Sequence, residues 1–159
     1  MNENYYQSFT LPILWEQIRD IRINMRELLS SYSDHLQNGA AVAASELMEN
    51  AIKYGMSTPD MPEALVEVQI ADNILSIRVS NGLRNPTALE RLKSHIDRLQ
   101  SDDPVQLFVE QLNNLGQTQN ESTGLGIYRA AAEGGFSLQL LHKDSVVTVI
   151  AKRSLSDGD

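Results

Sequence analysis

Apolar positions recur along this chain with two periods, and the switches between them set the order of its elements. From Leu14, the residues Ile18, Ile21, Met25, Leu28 and Tyr32 follow at steps of four and three, which is one face of a helix. Glu16, Arg19, Asp20 and Arg26 take the other side, and Pro12 stands where a first-turn proline opens a helix. The pattern predicts roughly five to six turns at about 3.6 residues each. A short β-compatible stretch, Ser8-Phe9-Thr10-Leu11, precedes it. Ser33-Asp34 supplies capping side chains for a second helix, richest in helix formers over 40–54 and stopped at Gly55.

The period then changes to two. Val66, Val68 and Ile70 alternate with Glu67 and Gln69, and Leu75, Ile77 and Val79 alternate with Ser76 and Arg78. These are two half-buried strands, joined by Asp72-Asn73, which tolerate the left-handed backbone of a tight hairpin. Helical segments are expected over 86–100 and 104–115, with Ser101-Asp102-Asp103 able to cap the second. A polar stretch over 116–122 leads to an Ala-rich helix over 128–133, then two more strands around a turn at Lys143-Asp144, and a frayed tail from 153 to 159. Two hairpins and long amphipathic helices imply an α/β (α+β) two-layer sandwich with its sheet covered on one face by helices. No linker divides the chain, so 1–159 is read as a single domain with its core over about 8–152.

Composition narrows the chemistry. Lys+Arg 13 against Asp+Glu 21 gives 13 − 21 = −8, which opposes binding to a phosphate backbone and excludes nucleic acid as the expected partner. Cys 0 removes disulfides, thiolate zinc sites and Cys nucleophiles. No apolar run suits a membrane span and the first residues lack a signal-peptide pattern, so a cytoplasmic protein with no membrane partner is expected.

Three segments carry candidate chemistry. Glu46 and Asn50, four apart on the second helix, share a stripe bordered by Ala43, Leu47 and Tyr54, at the edge of the packed body. Lys53 follows Glu49 in the order that favours a surface ion pair. An ordinary amphipathic helix with a polar boundary would show the same spacing. Val79-Ser80-Asn81-Gly82 ends a strand, where turn chemistry alone accounts for Asn-Gly. Ser122-Thr123-Gly124-Leu125-Gly126-Ile127 joins a polar loop to a helix start. Glycines there allow close backbone approach, and unpaired N–H groups attract anions.

Taken in order, these segments resemble the Bergerat-fold (GHKL) ATPases, the group of gyrase, histidine kinases and MutL. The stretch 46–55 resembles the N box, 79–82 falls at the G1 box, and 122–127 resembles the G2 box that closes the ATP lid. The resemblance spans about Phe9 to Lys152 and is strongest to stand-alone anti-sigma-factor serine kinases. It implies a mixed, mostly antiparallel sheet, and it implies ATP and Mg²⁺ as cofactors. Asn50 would be the Mg²⁺ ligand, Glu46 the general base for a protein serine, and Lys53 a phosphate contact. Thr123, Gly124, Leu125 and Gly126 would cradle the phosphates, and Asn81 with Gly82 would meet adenine. Asn81 stands where the family has Asp, Asn85 where it has Gly, and Ser122 where the first G2 glycine falls. The partner implied is a regulatory protein, a sigma factor or an anti-sigma-antagonist-like protein. Exposed edges leave the first helix and its preceding strand as surfaces for a homodimer. A non-catalytic binding module of the same fold and a detached histidine-kinase catalytic domain are the alternative readings. His35, His95 and His142 are scattered and read as surface or packing histidines.

Overall fold

The structure, a computed structural model, describes residues 4–11 (backbone only at 9–11), 16–83, 85–114 and 124–155. Along the chain come β1 (Tyr5–Leu11), α1 (Glu16–Leu28), α2 (Asp34–Tyr54), β2 (Ala64–Ala71), β3 (Ile74–Gly82), α3 (Pro86–Ser101), α4 (Pro104–Asn113), α5 (Leu125–Ala132), β4 (Ser137–Lys143) and β5 (Val146–Ser154). The five strands form one sheet in the order β1-β2-β3-β5-β4. Every pairing among the described residues is antiparallel, where the resemblance implied a mixed, mostly antiparallel sheet. The two tight turns have the expected cause: Asp72, Asn73 and Asp144 take φ of 52°, 64° and 55°, a region that short polar side chains tolerate better than most.

Burial follows the period-two pattern. Val66, Val68, Leu75, Ile77, Val79, Val149 and Ala151 turn one face of the sheet to the core, where α1 contributes Ile18, Ile21 and Met25. Through the middle of that core runs α2, with Ala40, Ala43, Ala44, Leu47, Met48 and Ala51 buried. Its alanines let α2 lie close to its neighbours, and Gly39 brings it within contact of Gly134 just past α5, since a Cβ at 39 would stand 3.1 Å from the Gly134 Cα. An added methyl there would have no slack in a close-packed interior.

Element ends follow their capping chemistry. Ser33 Oγ accepts from Leu36 N at 3.1 Å, Asn85 Oδ1 from Thr87 N at 3.0 Å, and Asp103 Oδ1 from Val105 N at 3.1 Å. Two helices depart from expectation. The helix α1 stops at Leu28, although its apolar face continues, because Leu29 reaches the core from a turn closed by Tyr32 N to Leu29 O. At its start α5 begins at Leu125, ahead of Tyr128, so Gly126 lies inside its first turn. At the C-terminal end, residues 153–155 are not a frayed tail. The strand β5 runs to Ser154, and Leu155 is buried with its N–H on Asn73 O.

Candidate functional site

The strip of α2 that holds Glu46, Asn50 and Lys53 faces a cavity of about 460 Å³. Gly124, Leu125, Gly126 and Arg129 form the facing wall from α5, and Asn81, at the end of β3, closes one side with Val147 and Val149 of β5. The third side is α3, through Ala88, Arg91, Leu92 and His95. Three segments distant in sequence therefore meet because β3 ends beside the C-terminal part of α2 and α5 packs across α2.

Glu46 is 9% exposed, an expensive place for a carboxylate unless it is paired. Its Oε1 lies 3.4 Å from Arg129 Nη1, and the same guanidinium donates through Nε to Glu133 at 2.9 Å. Burial pushes the Glu46 carboxyl above its ordinary value and Glu49 adds to the rise, while Arg129, Lys53 and Arg22 oppose it. The bond to Glu133 is the main reason that Arg129 holds its proton more strongly than usual. Gly126 makes this packing feasible, since a Cβ there would run into Glu46 Oε2.

One turn further along α2, Asn50 Nδ2 is buried with no hydrogen-bond partner among the described residues. A buried amide proton left unpaired is costly and unusual. Asn81 donates from Nδ2 to Gly82 O at 2.9 Å, which leaves its Oδ1 as an acceptor. Gly55 permits this, because a Cβ there would press on the Asn81 side chain at 3.2 Å and on the Ala51 carbonyl. Gly124 takes φ +71° at the head of α5, with no side chain capping the helix. The His95 ring packs over Gly124 and bonds through Nδ1 to Tyr128 OH at 2.8 Å, edge-on to it with centroids 5.3 Å apart.

Of the residues singled out in the sequence, Glu46, Asn50, Lys53, Asn81, Gly124, Leu125 and Gly126 all line this cavity. Gly82 does not. It sits behind Asn81, receives Met56 N on its carbonyl at 2.8 Å, and has no room for a Cβ beside Met56 O and Thr58. Thr123 lies outside the described residues. Lys53 and Glu49 form no ion pair among the described residues, and both line the cavity instead. Sequence reasoning missed Arg91, His95 and Arg129. The apolar face of α3 signalled core packing and hid the flank that carries Arg91 and His95 at a spacing of four. Arg129 becomes legible only when α5 is begun at Leu125, which puts it one turn beyond Gly126.

Among the described residues the cavity is thus walled by Lys53, Arg91 and Arg129 against Glu46 and Glu49, three cations to two carboxylates, on a chain of net charge −8. Together with an uncapped helix start and glycines that admit close approach, this arrangement suits an anionic ligand with a hydrogen-bonding ring at the Asn81 end. No model of a known protein family matches the chain, and no curated protein matches its sequence significantly. No helix among the described residues is long and apolar enough to cross a membrane.

Proposed function

We propose that this chain is a Bergerat-fold ATP-dependent protein serine kinase of the anti-sigma-factor type, with ATP and Mg²⁺ held in the α2–α5 cavity and a regulatory protein as substrate. One observation carries the reading: the N-box-like, G1-like and G2-like segments, joined only by resemblance in the sequence, wall a single cavity of about 460 Å³. That volume is within the range of small-molecule sites.

The residues present fit the implied cofactors. Asn50 has an amide proton without a partner inside the cavity wall, so a group with unmet hydrogen bonds is already in place. Among the described residues no three His, Asp or Glu side chains converge to hold a metal. Asn50 Oδ1 would be one protein ligand for Mg²⁺, with phosphate oxygens as others, while its unpartnered Nδ2 would donate to a phosphate oxygen, consistent with the reluctance of this ion to enter all-protein cages. Asn81 Oδ1 would accept from the adenine amino group. The backbone of Gly124, Leu125 and Gly126 would meet the phosphates, with Lys53, Arg91 and Arg129 as charge partners. When bound, Mg-ATP supplies the transferable phosphoryl group and neutralises its charge. Glu46 Oε would take the proton of a partner serine hydroxyl, a task for which a raised carboxyl pKa is an advantage near neutral pH.

The ion pair between Glu46 and Arg129 favours a second reading, a non-catalytic binding module in which that carboxylate serves packing. Radiolabelled ATP incubated with the chain and the proteins that copurify with it separates the two. An acid-stable phosphoprotein supports the serine kinase. An acid-labile one indicates a histidine kinase domain, and no label in the presence of the copurifying partner rejects catalysis.

A further inference from the structure

One stripe of α1 carries Arg19, Arg22 and Arg26, at successive spacings of three and four, so each guanidinium is a helical neighbour of the next. Like charges at those spacings destabilise a helix. Among the described residues none of the three forms an ion pair, although Glu49 shares their groove and the chain has eight more acidic than basic side chains. Arg26 Nε reaches only the neutral Asn38 Oδ1, at 3.3 Å, and Arg22 Nε is buried with no hydrogen-bond partner. The stripe lines a groove of about 360 Å³ with Ile18, the exposed Ile23 and Glu49. Glu49 also lines the α2–α5 cavity, and Arg22 acts electrostatically on Glu46. The groove and the cavity therefore share the Glu49 side chain, three residues along α2 from the candidate base.

We infer that the α1 arginine groove docks an acidic segment of a protein partner, and that this segment delivers its flanking hydroxyl to the cavity beyond Glu49. Charge complementarity selects the partner. Three guanidiniums that form no ion pair among the described residues, against the one groove carboxylate of Glu49, attract carboxylates and steer them to this face, while the net −8 of the chain disfavours acidic chains elsewhere. Ile18 and Ile23 give such a segment an apolar contact in the same groove, which distinguishes a polypeptide from a free anion. The docking itself stands on α1 alone, whereas delivery of a hydroxyl rests on the kinase reading above.

The probe is a fluorescein-labelled synthetic helix of Glu and Leu, followed by anisotropy, beside a Gln and Leu counterpart. The Glu peptide is expected to bind with an affinity that falls as salt is added. In Arg19→Glu/Arg26→Glu that affinity falls at least about tenfold, and Arg78→Glu/Lys152→Glu, on two other exposed basic residues, leaves it unchanged. Mg-ATP heats and circular dichroism of the Arg19→Glu/Arg26→Glu protein should match the unaltered chain. Equal binding of the Gln peptide, or no loss in Arg19→Glu/Arg26→Glu, overturns the inference. So does a preference for phosphatidylglycerol vesicles over the peptide, or a homodimer in sedimentation that the double variant dissolves. Peptide binding without any Mg-ATP binding would leave the docking groove standing and remove the kinase.

Discussion

At the scale of single residues, Glu46 is where the fold and the proposed chemistry conflict. Its ordinary value is 4.5, and burial raises it in the folded chain. The folded state therefore holds this proton to higher pH than the unfolded state does, so the group's stabilising contribution is complete below 4.5 and is lost as pH rises through the folded value. Glu46→Gln keeps the shape and removes the ionisation. Its denaturation midpoint should exceed that of the unaltered chain near pH 7 and converge with it at about pH 4. Arg129 is 42% exposed at the side chain, so solvent screening keeps its pairing energy small beside the burial cost. A Gln variant that is less stable at neutral pH would show that the ion pair outweighs burial. The same variant should bind ATP and fail to transfer phosphate. Gly126→Ala approaches the same carboxylate from the opposite wall. Its methyl group must displace Glu46 Oε2 or shift α5, so phosphotransfer should collapse while the far-ultraviolet dichroism spectrum is retained. Unchanged turnover in Gly126→Ala would place the working carboxylate elsewhere.

At the scale of elements, the departure at Asn85 from the glycine that the resemblance implies has a local cause. Asn85 Oδ1 caps α3 through Thr87 N and Ala88 N, and α3 is the wall that brings Arg91 and His95 to the cavity. Asn85→Ala should lower unfolding free energy by about 1 kcal/mol in denaturant titration; no change would mean that packing alone holds α3. Caps and turns of this kind were the most legible part of the sequence, since Ser33 and Asp103 cap through their own side chains and Asp72 and Asn73 tolerate the left-handed backbone of their turn. Helix length was less legible. Leu29 continues the apolar period of α1 yet is buried from a turn, because periodicity reports which residues face the core and not which backbone carries them there. The start of α5 was missed for a related reason: two glycines suggest a loop, but Gly126 is tolerated in the helix because Glu46 occupies the space of its side chain. Two walls of the cavity could be read in advance from Glu46, Asn50, Asn81, Gly124 and Gly126. The α3 wall could not, because only the tertiary fold decides which flank of a core helix borders a cleft.

At the scale of the molecule, charge is distributed against its average. Six of the 13 Lys and Arg residues of this net −8 chain, Lys53, Arg91, Arg129, Arg19, Arg22 and Arg26, line the cavity or the α1 groove, and the two surfaces share Glu49. The sheet order β1-β2-β3-β5-β4 makes this possible by placing β3 centrally, with its end beside α2, while β1 and β4 form the two edges. Any ligand that binds only the folded state must raise its stability by mass action, and the cavity is the place where this is expected for Mg-ATP. The most direct test is titration calorimetry of the chain with Mg-ATP beside Asn50→Ala, with both proteins shown to be folded. A saturable heat at one site per chain that Asn50→Ala abolishes is the predicted result. The account is contradicted if the folded, unaltered chain gives no heat, or if the heat is the same without the Asn50 amide.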